Sequence, residues 1–386
     1  MDSTIKKLVS FLGPVIRGYF YDGESSVFVH AIEGSQAEVM LPEYVIGDDA
    51  AETVKILDSI VAGYVGSNGR YPKSIGVQNV PVTFNLGMSY DEAVSGTFSR
   101  EPSFIGSSRR SDIMKRKISI VTGGAQGFGA GIVQGLIDEG GFVFIADMNK
   151  EGADSLASQL NEKTGSTVAL GLKVDVSSEE SVEQMMDEIA ALTGSIDLFV
   201  SNAGVLKAGS VKEISLRDFE FVTSVDYTGF FICTKFASRQ MALQNIGSGG
   251  RYMTDIITIS SKSGLEGSNK NGAYAGAKFG TIGLTQSFAL ELVSDNIKVN
   301  AVCPGNFLDG PLWSDPDRGL FVQYLRANKV PGAKSVEDVR AFYESKVPLS
   351  RGCKTTDVVR AICYIVEQKY ETGQALPVTG GQVMLN

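Results

Sequence analysis

From position 117 onward the chain alternates between short apolar, β-rich runs and longer segments whose apolar residues recur with a helical period. The runs are KISIVTG (117–123), FVFIAD (142–147), ALGLKVDV (169–176), IDLFVSN (196–202), DIITISS (255–261) and IKVNAVCPG (297–305). Helical periods fall near 128–139, between 147 and 169, around 179–191, near 219–243 and from about 272 to 293. A strand that is apolar at consecutive positions is covered on both faces, and strands that alternate with helices pair in parallel. The pattern predicts α/β architecture, a doubly wound parallel sheet spanning 117–386.

The first hundred residues follow a different rhythm. Val27–Ile32 alternates like a strand, with His30 on the same face as Phe28 and Ile32, where a structural histidine is expected. Val54, Leu57, Ile60 and Val61 recur at helical spacing behind Asp48 or Asp49, either of which can cap a helix, and VPVTFNL (80–86) reads as another strand. Residues 1–98 therefore form a small α/β N-terminal module, and no chemical motif in it makes its role legible. The opening MDSTIKKLVSFLGPVIRG has a short apolar stretch broken by Pro14 and Arg17 and reads as mature protein. Between Ser99 and Lys117 the segment SREPSFIGSSRRSDIMKRK follows neither period, so 99–116 is the expected linker.

Composition removes whole classes of chemistry. Lys plus Arg number 35 and Asp plus Glu 44, a net charge of −9, so a basic face for nucleic acid is not expected. No apolar run approaches the roughly 18 residues of a membrane span. Cys233, Cys303, Cys353 and Cys363 are isolated and His30 is the only histidine, so neither a disulfide framework, a metal site nor a Ser-His-Asp triad is expected. Isolated cysteines fit a reducing, cytoplasmic location.

The first strand of the long segment runs into TGGAQGFG (122–129) and then a helix, placing Gly123, Gly127 and Gly129 at the turn. A missing Cβ lets backbone approach a pyrophosphate, and the helix start offers free N–H groups. The second strand ends in Asp147, 18 residues after Gly129. A carboxylate there accepts hydrogen bonds from ribose hydroxyls and repels a 2′-phosphate, which favours NAD over NADP. With DV (175–176), SNAG (201–204), ISS (259–261), YAGAK (274–278) and CPG (303–305) in the same order, the segment 117–386 resembles the short-chain dehydrogenase/reductase family. The resemblance implies a Rossmann fold with NAD held by Gly123, Gln126, Gly127, Phe128, Gly129 and Asp147. It further implies that Asp175 and Val176 contact adenine and that Asn202, Ala203 and Gly204 hold the central strand against the cofactor. Pro304, Gly305 and Asn306 would approach the nicotinamide.

Tyr274 and Lys278 are four apart on an expected helix and so share one face. An ammonium beside a phenol favours the phenolate; lowering a phenol's pKa from about 10 to about 8 corresponds to about 2.7 kcal/mol. Tyr274 can then exchange a proton with a substrate hydroxyl while hydride passes to or from the nicotinamide. In the family, Lys278 also bonds the nicotinamide ribose, and Ser261, 13 residues before Tyr274, hydrogen-bonds the reacting oxygen. Asp226 stands where the family usually has an asparagine that supports a water relay to the lysine, and it is expected to serve that relay still.

The segments SKSGLEGSNKNGAYAGAKFG (261–280), GN-x-L-x-x-P (305–311), KVPLSRGC (346–353) and TGQALPVTGGQVML (372–385) are similar to those of family members acting on polyol phosphates. The resemblance implies NAD-linked interconversion of D-sorbitol 6-phosphate and D-fructose 6-phosphate. Lys207 and Lys262 are the cations best placed by sequence for the phosphate, Asn306 can meet a hydroxyl, and Arg351 either contributes or only holds the last helix. Asp309 replaces a threonine common beside the nicotinamide. The insertion from Gly305 to about Lys346, with Trp313 and a charged helical stretch near 335–345, is expected to close over the sugar. Competing readings are a dehydrogenase of an unphosphorylated polyol such as sorbitol or xylitol, and a non-catalytic NAD-binding regulator. The family implies a homodimer or homotetramer built on the helices near 219–243 and 272–293.

Overall fold

The computed structural model describes residues 1–34, 36–43, 49–98, 113–317, 319–326 and 330–384. Most of the expected linker, 99–112, lies outside the described residues, as does Asp48. Its described end is packed: Met114 is fully buried, and Arg116 pairs with Asp22 at 2.9 Å.

The N-terminal part carries α1 (Ser3–Tyr19), β1 (Phe28–Glu33), β2 (Val39–Leu41), α2 (Ala50–Asn68), β3 (Ser74–Val77), β4 (Val80–Gly87) and α3 (Tyr90–Ser95). Its four strands form a sheet in the order β1-β4-β3-β2, and Asp49 caps α2 by accepting the Glu52 N–H. The opening segment is helix throughout, running unbroken past Pro14 and Arg17. Asp2 caps it through Thr4 and Ile5, and Ile5, Leu8, Val9, Leu12, Val15 and Ile16 make a buried stripe at helical spacing. That stripe outweighs the one backbone hydrogen bond which Pro14 cannot donate.

The long segment comprises β5 (Ile118–Thr122), α4 (Gly127–Asp138), β6 (Phe142–Asp147), α5 (Lys150–Thr164), β7 (Ala169–Lys173), α6 (Glu179–Thr193) and β8 (Leu198–Ser201). It continues with α7 (Leu216–Thr223), a π-helical turn (Ser224–Thr228), α8 (Gly229–Gly247), β9 (Thr254–Ile259), a 3-10 turn (Lys262–Gly264), α9 (Gly272–Leu292) and β10 (Ile297–Pro304). Then come α10 (Pro311–Ser314), α11 (Leu320–Arg326), α12 (Val336–Ser345), α13 (Thr355–Glu367) and β11 (Ala375–Val378). The seven strands pair in parallel in the order β11-β10-β9-β8-β5-β6-β7. Ile120, Phe144, Phe199 and Val299 pack with α6, α8 and α9, whereas Val121, Ile145, Val200 and Val302 pack with α4, α5 and α13. The fold is thus a doubly wound α/β sheet. Two details differ from the periodicity: the helix near 219–243 is divided by the π turn, and the strand through 169–176 ends at Lys173.

Helix α1 lies against α8 and α6. A Cβ on Gly18 would stand 1.9 Å from the Gln244 carbonyl oxygen, and one on Gly247 would stand 2.4 Å from that of Val15, so α1 and α8 meet backbone to backbone. Beside this crossing the fully buried Arg17 donates from Nη2 to Asp197 Oδ2 at 2.5 Å and from Nε to Gln244 Oε1 at 3.1 Å. Phe28 and Tyr90 pack on Phe142, with ring centres 5.4 and 5.3 Å apart. Through Arg17 at Asp197 and through Phe28 and Tyr90 at Phe142, the N-terminal part therefore meets the amino ends of β8 and β6, opposite the ends that carry the glycine turn.

Candidate active site

The strand order reverses between β5 and β8, and an open sheet has a crevice at the carboxyl ends of its strands at such a point. Here the crevice floor is made by the turn after β5. Gly123 and Gly127 adopt left-handed φ values of 63° and 58°. A Cβ on Gly123 would come 2.9 Å from the Ala203 backbone and one on Gly129 would come 2.0 Å from the Gly123 carbonyl oxygen, whereas nothing lies within 4 Å of a Cβ placed on Gly127. The turn is therefore tight beneath and open above, with Gln126 making no side-chain cap over the first N–H groups of α4.

Asn202 fastens this turn to β8. Its Nδ2 donates to the Thr122 and Gly123 carbonyls at 2.9 and 3.2 Å, while Thr122 Oγ1 accepts the N–H groups of Asn202 and Ala203. Asp147, at the end of β6, accepts the Ala125 N–H on one carboxylate oxygen and the Asn149 N–H on the other, at 3.1 and 3.0 Å. Asp175 is turned to its own backbone by Ser177, and Val176 is buried against Gly229. An open glycine cradle, a free helix N-terminus and a strand-end carboxylate fit the pyrophosphate and ribose of a dinucleotide. On the other side Pro304 ends β10, the Gly305 N–H bonds Val378 O, and Asn306 O accepts the Cys353 N–H.

Helix α9 carries Tyr274 and Lys278. Tyr274 is half-buried among Val205, Ile214, Val222 and Ala277. Lys278 is 4% exposed; its Nζ donates to Ile259 O at 3.1 Å, meets Asp226 Oδ2 at 3.2 Å, and lies 5.5 Å from the centre of the Tyr274 ring. The π turn carries Asp226, 3% exposed, whose Oδ1 accepts the Val205 N–H at 2.7 Å. Burial alone would depress the Lys278 ammonium, but Asp226 and Tyr274 outweigh it and hold its pKa above the usual lysine value. Ser261 ends the loop after β9 and caps the 3-10 turn by accepting the Ser263 N–H at 3.1 Å. That turn rests on α9, where a Cβ on Gly264 would come 2.8 Å from the Lys278 carbonyl oxygen. Cys303 on β10 is a neighbour of Lys278 whose thiol burial pushes up to about 11.

Other candidates are placed differently. Asp309 is engaged by Arg340 of α12 at 2.5 Å, and Arg340 also holds Glu344 at 2.8 Å, so the insertion is tied to the loop after β10. Trp313 packs with Phe321, Tyr324 and Tyr343 inside the insertion. Arg351 pairs with Asp357 at 2.6 Å at the start of α13, the helix-holding role. Lys207 is exposed and Lys262 half-buried, and neither has a carboxylate partner among the described residues. Two features escaped the sequence reading. Lys270 has a left-handed φ of 55°, and its carbonyl accepts the Gly209 N–H at 2.8 Å, which brings it beside the loop bearing Lys207. Phe128 in the glycine turn stacks on Phe307, with centres 4.3 Å apart. A second aromatic after Pro-Gly-Asn was the available signal for the Phe128 stack; the Lys270 turn has none, because its carbonyl is held by the distant Gly209. Among the described residues no three His, Cys, Asp or Glu side chains gather as metal ligands, and no helix is long and apolar enough to cross a membrane.

A model of the short chain dehydrogenase family matches residues 117–314. Sorbitol-6-phosphate 2-dehydrogenase of Escherichia coli (strain K12) is 38% identical over 270 residues, covering 69% of this chain and 99% of that protein. The 3-oxoacyl-[acyl-carrier-protein] reductase FabG of Aquifex aeolicus (strain VF5) is 31% identical over 270 residues, covering 69% of this chain and 98% of that protein. Among solved structures, sorbitol-6-phosphate 2-dehydrogenase SrlD from Erwinia amylovora superimposes with a TM-score of 0.63 at 38% identity, covering 69% of this chain and all of that one.

Proposed function

The chain belongs to the short-chain dehydrogenase/reductase family, and from that premise we propose that it is an NAD-dependent dehydrogenase interconverting D-sorbitol 6-phosphate and D-fructose 6-phosphate. The observation that carries the reading is the buried Lys278 on the same helix face as Tyr274, with the turn capped by Ser261 packed on that helix. The substrate rests on the 38% identity to sorbitol-6-phosphate 2-dehydrogenases, which extends through the segments flanking the site. Lys207, Lys262 and Lys270, which have no carboxylate partner among the described residues, are the candidate cations for the phosphate.

When bound, the nicotinamide dinucleotide supplies the acceptor or donor of hydride. The turn at Gly123, Gln126, Gly127, Phe128 and Gly129 receives the pyrophosphate, and Asp147 accepts from the ribose hydroxyls and disfavours a 2′-phosphate, hence NAD. Asp175 and Val176 border the adenine, Asn202, Ala203 and Gly204 brace the strand end, and Pro304, Gly305 and Asn306 face the nicotinamide. Tyr274 Oη takes the proton of the substrate hydroxyl in oxidation and returns it in reduction. Ser261 Oγ donates to the reacting oxygen, and Lys278, backed by Asp226, holds its charge beside the phenol and reaches the ribose. The described parts of the insertion after β10, tied to Asp309 through Arg340, are the candidate cover for the sugar. Exposed Phe231, Phe279 and Leu290 on α8 and α9 support a homodimer or homotetramer, and four free thiols support a cytoplasmic setting.

The test is NAD reduction across a panel of polyols and their 6-phosphates, repeated on Lys270→Ala. Saturation with sorbitol 6-phosphate and a KM about tenfold higher for it alone in the variant are expected, the size of one charge-assisted phosphate contact. Preference for an unphosphorylated polyol, or NAD binding without turnover, would replace this reading.

A further inference from the structure

The nearest opposite charge to Lys278 is a carboxylate, and this alters the charge count of the site. We propose that Asp226 is a positioning residue that acts through Lys278 to oppose loss of the Tyr274 proton, favouring proton donation in reduction over proton acceptance in oxidation. The inference rests on the reading of Tyr274 as the proton-transfer group.

Asp226 acts through Lys278. Its Oδ1 is fixed by the Val205 N–H at 2.7 Å, which leaves Oδ2 directed at the ammonium 3.2 Å away. The π turn supplies this geometry: one wide turn between α7 and α8 carries residue 226, and Gly204 leaves room for the pair. A Cβ at Gly204 would stand 3.1 Å from Asp226 Oδ2 and 3.4 Å from Lys278 Nζ. With the phenol protonated, Lys278 and Asp226 sum to zero; loss of the phenolic proton leaves the pocket at −1. An asparagine at 226 would make the same step run from +1 to zero. Burial penalises net charge, so the carboxylate opposes ionisation of the phenol and an amide would not.

Among the described residues Lys278 is the cation recorded in contact with both Asp226 and the Tyr274 ring. Lys278 feels Asp226 from the π turn, Tyr274 from its own helix and Cys303 from β10, whose thiol burial pushes up to about 11 and keeps neutral. Tyr227 of the π turn lies over Gly280 of α9, and Lys262 stands half-buried on the 3-10 turn. In reduction the carbonyl oxygen takes the Tyr274 proton as its carbon receives hydride, and the phenolate is then reprotonated from solvent. Oxidation runs the same proton from the hydroxyl to the phenolate, so it needs the form that Asp226 disfavours.

The experiment compares wild type with Asp226→Asn, which keeps the Oδ1 acceptor for the Val205 N–H, removes the charge and sets an amide NH2 in place of Oδ2. Profiles of kcat/KM against pH are measured in both directions. In the wild type, oxidation should rise into the alkaline range while reduction stays flat through neutral pH. In the variant both profiles should bend about one pH unit lower, the low end of what a nearby charge produces, because Asp226 acts through Lys278. In apoprotein labelled with 13Cε-lysine, the Lys278 resonance, assigned by Lys278→Arg, should titrate at lower pH in the variant than in the wild type. Superimposable bends would overturn the proposal, as would an equal gain in both directions at every pH. Should Asp226→Asn not fold, a wild-type oxidation profile already level at neutral pH would overturn it alone. Failure of every polyol in the panel, with the lysine titration moved as stated, would sink the functional reading and not the charge coupling.

Discussion

Strand β8 has a buried ion pair at each end, and the two are built differently. At its start, Asp197 takes Arg17 at 2.5 Å, the Gln244 amide at 2.9 Å and the Ile118 N–H at 2.7 Å, and Arg17 also donates to Gln244 and to the Val27 carbonyl. Past its end, Asp226 Oδ2 lies 3.2 Å from the Lys278 ammonium with no hydrogen-bond partner among the described residues, and Lys278 donates to Ile259 O. The first pair has its hydrogen-bonding capacity filled from three parts of the chain, so it can only hold those parts together. The second leaves capacity open at the crevice, and a group left open there can bind a ribose or pass a proton. Burial is equal; what separates a lock from a working site is how many partners the fold has already supplied.

Substitutions that separate stability from turnover sharpen this contrast. The largest effect is expected at the open end. Tyr274→Phe should lower kcat by about 10²–10⁴-fold, the range of a lost general acid or base, while the urea midpoint stays within error of wild type. A drop in stability of comparable size would mean that the phenol is part of the packing and not of the chemistry. At the closed end the expectation is reversed. Arg17→Met leaves Asp197 buried with its strongest partner gone and should cost about 3–5 kcal/mol in urea unfolding, with KM per folded molecule unchanged. Were Arg17→Met to unfold like the wild type, the N-terminal helix would be an ornament on the sheet and not part of its closure.

The legible and the illegible parts divide along the same line. The sheet could be read because parallel strands covered on both faces are apolar at successive positions, and the glycine turn because three glycines stood between a strand and a helix. Tyr274 and Lys278 were legible because four residues is one helical turn. Helix α1 was obscured because Arg17 looks like a polar break until Asp197, 180 residues away, is placed beside it. The π turn had no signal in the 219–243 periodicity, so Asp226 could be named but not oriented. Lys270 was missed because a left-handed lysine is decided by the bond between Gly209 and its carbonyl, a contact between distant loops. Local periods announce elements; long-range polar partners have none.

The smallest effect concerns pH, and the two pairs should respond at opposite ends of the scale. Burial opposes ionisation of Asp197, but Arg17, Lys117 and the Ile118 N–H outweigh it and hold the carboxyl below its usual value of 3.8. A carboxyl depressed in the folded state contributes stability that is present above its unfolded pKa and lost as pH falls through the folded one, so this pair weakens only below about pH 4. For Lys278 the sign is opposite: its folded pKa lies above the usual 10.5, so its contribution is full below that value and is lost as pH rises past it. Unfolding free energies measured in urea from acid to alkaline pH should therefore fall at both extremes, by about 1.4 kcal/mol for each pH unit that separates a group's folded and unfolded pKa. Arg17→Met should flatten the acid fall and leave the alkaline one, and Asp226→Asn should do the reverse. If each substitution flattened both falls, the two ends of β8 would be coupled through the strand, and the division between lock and working site would fail.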